Sequence, residues 1–299
     1  MKIIVCLKEV VDTKLSLGFG LSHEVVFQEG LPLRLNPNDA EALAMALSLK
    51  QKDSQVEITL ISIGPERVER YLIDGLALGA DKAVRIWEED LTELSSYQKA
   101  RLLSKAVSLF GADLVLTGAR SVDTGNGQVG PLIAAWLNLP CVGEVVSLEL
   151  SKEQKSITLT RDIGRGAREK MQCSLPAVIT VKGEGKLPYA SLDKLLKSQD
   201  SEVRLLSPAD LSISPAELRD DPTRVTGLVF PRPRPKKVPT PESSLPAFYR
   251  ILKLLEGGIS KRQGKMLEGS SQEIADQLFE LLIEEGVIEP AKKEGMADK

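Results

Sequence analysis

The 299-residue chain is 42% hydrophobic and 27% charged, the balance of a soluble globular protein with room for about two domains. A formal charge of −3 and a pI near 5.6 exclude a global basic field, so nucleic acid is not an expected partner. The three cysteines, Cys6, Cys141 and Cys173, are widely spaced in apolar strand-like contexts and read as buried thiols. With His23 as the one histidine, a histidine-based metal site or triad is not expected either.

The chain opens on Lys2-Ile3-Ile4-Val5-Cys6-Leu7, an apolar run too short for a signal peptide, which reads as a first buried strand. No stretch approaches the roughly 20 apolar residues that cross a bilayer, and the expected location is cytoplasmic. A glycine-containing segment with Gly18, Gly20 and Gly30 follows, read as a loop plus a short hairpin. Asn36 or Asn38 then caps a helix through Ala40–Leu49 with acidic residues in its first turn.

Val56–Ile63 reads as a second parallel strand, ending at Gly64-Pro65, and Glu66–Gly79 as a helix. Ala83–Ile86 supplies a third strand, and Tyr97–Phe110 an amphipathic helix. Strands alternating with helices of about a dozen residues predict an α/β fold, a doubly wound, mostly parallel sheet with helices on both faces. In such sheets ligands sit beyond the carboxyl ends of the strands. The loops after Val5, Leu35, Ile61 and Leu116 are therefore expected to converge.

The last of these is the most distinctive. After Ala112–Gly118, a buried strand, comes Asp123-Thr124-Gly125-Asn126-Gly127-Gln128-Val129-Gly130-Pro131, running into a helix. Glycines let backbone N–H groups approach a ligand, and a helix start concentrates unpaired donors, which suits phosphate. The spacing is neither a P-loop nor GxGxxG, and a turn that simply closes a strand-helix unit is the competing reading.

From Val142 the pattern changes to alternation without long helices, through Glu144–Leu150, Ser156–Asp162 and Pro176–Val181, read as antiparallel additions to the same domain. Arg161, Arg165, Arg168 and Lys170 surround Gly164 and Gly166, a solvated hairpin tip or an anion or partner contact. Tyr189–Lys197 is a short helix with Leu192, Leu195 and Leu196 apolar. Residues 1–197 thus read as an α/β domain, expected to bind a nucleotide if the glycine loop holds phosphate. Residues 198–244, with Pro231-Arg232-Pro233-Arg234-Pro235, read as an extended arm or linker. Residues 245–299 form a helical extension, in which Ser270 and Glu273 make a capping box. It is too small to fold alone and should dock on this chain or on a partner.

Taken in order, Lys8-Glu9-Val10-Val11-Asp12-Thr13, Asn36-Pro37-Asn38-Asp39-Ala40-Glu41, Gly64-Pro65, Ala77-Leu78-Gly79-Ala80-Asp81, Asp113–Gly118, the Asp123–Pro131 loop, Arg161–Glu169 and Leu175–Val178 resemble the beta subunits of electron transfer flavoproteins over residues 1–240. The resemblance implies an adenine-nucleotide-binding αβα fold and a heterodimer with an alpha subunit that holds most of the redox FAD. The chain is then an electron carrier subunit with no catalytic residue of its own, passing electrons between a flavin dehydrogenase and a quinone-linked or other acceptor. It implies a nucleotide in this chain, AMP or a second FAD, lined by Cys6, Asn36, Ser62, Gly64 and the Asp123–Pro131 loop. It places Val11, Asp12, Thr13 and Asn38 near the isoalloxazine edge of the shared flavin. Leu192, with Tyr189 and Leu195, is where the family docks its dehydrogenase. Here Pro188 precedes Tyr189, where the family usually has arginine, and Ser198-Gln199-Asp200 replaces a lysine-rich run. A nucleotide-handling enzyme of the same fold, or a nucleotide-sensing module without a redox role, are the alternatives.

Overall fold

Ile3, Ile4 and Val5 are each almost fully buried, so β1 (Lys2–Leu7) is covered on both faces. A strand achieves that inside a parallel sheet with helices on either side. In the computed structural model, residues 1–14, 32–89, 91, 94–151, 153, 155–223, 241, 244–255 and 267–284 are described. They fall into two units, Met1–Val229 and Phe230–Lys299.

In the first unit, β1 lies between β4 (Glu57–Ile63) and β6 (Leu114–Gly118), parallel to both. Beyond β4 lie β5 (Lys82–Ile86) and β11 (Val203–Leu206); beyond β6 lie β10 (Ala177–Val181), β7 (Cys141–Leu150), β8 (Ser156–Gly164) and β9 (Ala167–Ser174), nine strands in one sheet. All run parallel up to β7, and only the β7–β8 and β8–β9 pairs are antiparallel. Two turn residues with positive φ, Arg165 and Gly166, join β8 to β9, the geometry that matches the twist of a hairpin.

Side chains along β1 alternate between two cores. Ile3 and Val5 join Leu43 and Leu47 of α1 (Pro37–Lys52) and Leu72 of α2 (Glu69–Leu78). Ile4 and Cys6 join Leu102 and Val107 of α3 (Ser96–Phe110) and Ile133 of α4 (Val129–Leu137) on the opposite face. Each such side chain contributes about 1.5–3 kcal/mol on burial. The chain leaves β1 through α1 toward β4 and returns through α3 to β6 on the other side. The carboxyl end of β1 is therefore a topological switch point. The short hairpin exists as β2 (Glu9–Val11) paired with β3 (Leu33–Leu35); Gly18, Gly20, His23 and Gly30 lie outside the described residues.

Three expectations differ from the structure. Pro176–Val181 was expected to be antiparallel, yet β10 is parallel and inserted between β6 and β7, with Ala177, Val178, Ile179 and Val181 fully buried. Its unbroken apolar run is what burial on both faces demands. Residues 203–206, expected at the start of an arm, form the edge strand β11, and Leu206, Leu211 and Ile213 are buried behind it. A few apolar residues suffice there because one edge and one neighbour are all such a strand must satisfy. Cys141 is exposed, whereas Cys6 and Cys173 are buried and all three are free thiols.

α5 (Leu192–Gln199), capped by Ser191, and α6 (Pro215–Arg219), with its own capping box, complete the helices of the first unit. In the second unit α7 (Ala247–Leu255) and α8 (Ser271–Glu284) are described, and the expected Ser270–Glu273 capping box is formed, Ser270 N–H donating to Glu273 at 2.8 Å. The Pro231–Pro235 run lies outside the described residues. Among them, no helix is long and apolar enough to cross a membrane.

Candidate functional site

The strand ends and helix starts at the switch point enclose a cleft of 580 Å³, within the range of small-molecule sites. Cys6–Glu9 after β1, Ile63–Val68 after β4 and Thr117–Ser121 after β6 supply its floor and one wall. Trp87, Leu91, Leu94 and Leu103 supply an apolar wall, and Ser95, Ser96 and Lys99 bring in the first turn of α3. Thr124 and Asn126–Val129, ahead of and at the start of α4, complete the lining.

The loop ahead of α4 owes its path to glycine. Gly125 and Gly127 have φ of +64° and +62°, a region that L side chains enter only with strain. A Cβ on Gly127 would also stand 3.2 Å from the Ala119 carbonyl oxygen. Gly130 serves packing instead, since a Cβ there would run into Thr180 and Thr117 of the sheet. The loop is tied down on both sides of the cleft. Lys8 Nζ lies 2.7 Å from both Asp123 carboxylate oxygens and 3.2 Å from Ser121 Oγ, while Asn126 Nδ2 donates to Ser96 Oγ at 3.0 Å. Burial would raise the Asp123 pKa, but Lys8, Ser121 and the Thr124 N–H overcome it, and the carboxyl is held below its ordinary value.

The starts of α3 and α4, which both face the cleft, differ. Ser95 caps α3 and Gln98 returns the bond to the Ser95 N–H at 2.8 Å. At α4 the cap position, Gln128, makes no side-chain capping bond. Pro131 has no N–H, so the first-turn donors of α4 are the Val129 and Gly130 N–H groups, which carry the partial positive charge of a helix start, where an anion is favoured.

Asn36 and Asp39 hold the floor together. Asn36 occupies the cap position of α1 but does not cap it. Its amide instead donates to the Arg120 carbonyl and accepts from the Val122 N–H, each at 3.2 Å. Asn38 also donates to the Arg120 carbonyl, at 2.8 Å, and accepts from the Gly183 N–H. Asp39 accepts the N–H groups of Lys8 and Gly118, both at 2.8 Å, and so joins β1 to β6. Burial pushes its pKa up to about 7 against those hydrogen bonds. Burial, with the Asp39 charge beside it, pushes the Cys6 thiol up to about 12. Cys6 therefore stays a neutral thiol at neutral pH, a packing group rather than a nucleophile.

Of the residues expected around a nucleotide, Cys6, Asn36, Gly64, Thr124, Asn126, Gly127, Gln128 and Val129 line the cleft. Ser62 does not; it is buried in β4, paired with Leu7. Asp123, Gly125 and Gly130 shape the loop from behind, and Pro131 faces a shallower depression beside Tyr97 and Leu132. Val11 ends β2, and Asp12 and Thr13 follow it, all three outside the cleft, with Asp12 3.5 Å from Arg34. Tyr189 is fully exposed, Leu192 is 72% exposed and Leu195 is half-buried.

Sequence reasoning misses the side of the cleft that follows β5: Trp87, Leu91, Leu94, Ser95, Ser96 and Lys99. Two signals pointed there: Ile86 ends a parallel strand at the same sheet edge as the other loops, and the Ser95–Gln98 capping box starts a helix there. Asp39 was missed because a buried carboxylate that joins two strands has no local sequence signature.

The Electron transfer flavoprotein domain family matches residues 24–208. The chain is 30% identical to the electron transfer flavoprotein subunit beta of Thermoanaerobacterium thermosaccharolyticum over 77% of its length and 88% of that protein. It is 28% identical to that of Megasphaera elsdenii over 96% of its length and all of the relative. It is also 29% identical to the caffeyl-CoA reductase-Etf complex subunit CarD of Acetobacterium woodii, over 75% of this chain and 86% of that one.

Proposed function

Because this chain belongs to the electron transfer flavoprotein family as an electron carrier subunit rather than an enzyme, we propose that it pairs with an alpha subunit and that its own cleft holds an adenine nucleotide. The observation that carries this reading is the uncapped start of α4 behind a glycine-shaped loop at the switch point. Phosphate would meet the first-turn N–H groups of α4, and the floor from Cys6 to Glu9 would face the base. The Cys6 thiol on the cleft floor stays neutral and is no nucleophile. The bound group would supply any redox chemistry, and this chain would orient it, exclude water and set its dielectric.

AMP is the first choice of occupant. A second FAD is favoured by one feature, the apolar wall of Trp87, Leu91, Leu94 and Leu103, which offers a second ring system a surface that AMP does not need. In the same proposal Val11, Asp12, Thr13 and Asn38 face the FAD shared with the alpha subunit. Leu192, flanked by Tyr189 and Leu195, docks a flavin dehydrogenase, and a quinone-linked or other acceptor takes the electrons, all in the cytoplasm. The test is to purify the chain with its alpha subunit, denature the pair and quantify released AMP and flavin. One AMP and one flavin per pair is the expected result; two flavins would replace AMP with FAD, and no nucleotide beyond the shared flavin would reject the cleft as a nucleotide site.

A further inference from the structure

Lys99 is placed where a cation gains least from the protein. It lies in the first turn of α3, near the positive end of the helix dipole. It lines the cleft, and burial followed by the nearby Lys8 charge lowers its pKa, against a smaller pull from Asp123. Lys8 itself is committed to Asp123 and Ser121. Among the described residues no side chain makes an ion pair or a hydrogen bond with the Lys99 ammonium, which lines the cleft.

We propose that Lys99 is a specificity-determining residue of the cleft, whose ammonium contacts a phosphate of the bound nucleotide beside the Lys8–Asp123 pair. The proposal rests on the reading of the cleft as a nucleotide site. Lys8 and Asp123 neutralise one another, so Lys99 leaves the group with one uncompensated positive charge. A phosphate supplies the missing counter-charge and the acceptor oxygens that an ammonium needs. The α4 start binds through fixed backbone donors and would accept any small anion. Lys99 adds a point charge from the first turn of α3, so the pair of contacts distinguishes a phosphorylated nucleoside from the bare nucleoside. The hydroxyl of Ser96, one turn earlier on α3, is already engaged by Asn126, which keeps the α3 start and the glycine loop in a fixed relation.

The test uses the full chain, stripped of nucleotide, with AMP, FAD and adenosine as probes in titration calorimetry. Lys99→Met keeps the length and packing of the stem; Lys99→Arg keeps the charge. Lys99→Met is expected to weaken AMP or FAD binding by about 10- to 100-fold, the worth of one charge-assisted hydrogen bond, with adenosine binding unchanged, and Lys99→Arg to recover most of the loss. Raising the salt concentration should weaken AMP binding less in Lys99→Met than in the parent chain. Unchanged AMP and FAD binding in Lys99→Met, or an equal loss for adenosine, overturns the role of Lys99 while leaving the nucleotide site standing. A parent chain that binds neither AMP nor FAD overturns the nucleotide reading and this proposal with it.

Discussion

Asp39 illustrates how one side chain both builds the cleft floor and makes the fold sensitive to pH. Its carboxyl joins the Lys8 and Gly118 N–H groups, with Asn36, Cys6 and Lys8 as the polar and titratable side chains around it. Burial raises its pKa to about 7, above the value in an unfolded chain. Between roughly pH 4 and pH 7 the folded chain therefore holds a proton that the unfolded chain has released, and stability falls as pH rises, by up to about 1.4 kcal/mol per pH unit, levelling above pH 7. Asp39→Asn removes the titration. It also leaves one of the two N–H groups without an acceptor, so the variant should be less stable by about 1–3 kcal/mol yet show a flatter profile. Urea unfolding of both proteins from pH 5 to pH 8 checks this; parallel profiles would place the pH dependence elsewhere.

At the scale of elements, α5 separates exposure from stability. Its cap, Ser191, and its half-buried Leu195 anchor the helix, while Leu192 projects with 72% of its surface open. Leu192→Ala should therefore change unfolding stability by no more than about 0.5 kcal/mol and leave nucleotide content intact. Electron delivery from a cognate dehydrogenase should slow, measured by flavin reduction in the assembled pair; unchanged delivery removes Leu192 from the docking surface. The same contrast explains what could be read before the fold was known. Helices with caps and strong periodicity, such as α3 and α8, and the parallel strands β1, β4 and β6 announce themselves through local pattern. The partners of β10 and β11 do not. Ala177–Val181 carries no mark that distinguishes a parallel insertion from an antiparallel addition, and Val203–Leu206 becomes a strand through its neighbour β5. In the cleft, glycines at 125 and 127 were legible because φ restricts residue type. Lys99, Trp87 and Asp39 were not, because their role comes from segments brought together by the sheet.

The whole chain is two units of different kinds. Met1–Val229 carries the sheet, both cores and the cleft. In Phe230–Lys299, α7 and α8 are short and leave Phe248, Tyr249 and Ile251, and Leu278 and Phe279, more than 45% exposed. Helices of 9 and 14 residues are marginal in water without a covered face. Phe248, Ile251 and Leu252 share one side of α7 at helical spacing, a stripe that only burial would stabilise. Ending the chain at Val229 should therefore preserve the first unit, with a melting temperature within about 2–4 °C of the full chain and nucleotide binding unchanged. The cost should appear in assembly with the alpha subunit. Hydrogen exchange on the full chain resolves where: α7 and α8 should exchange quickly in the free chain and become protected when the alpha subunit is added. Full protection of both helices before the alpha subunit is added would mean that their apolar faces are already covered, and the shortened chain should then lose stability instead of affinity.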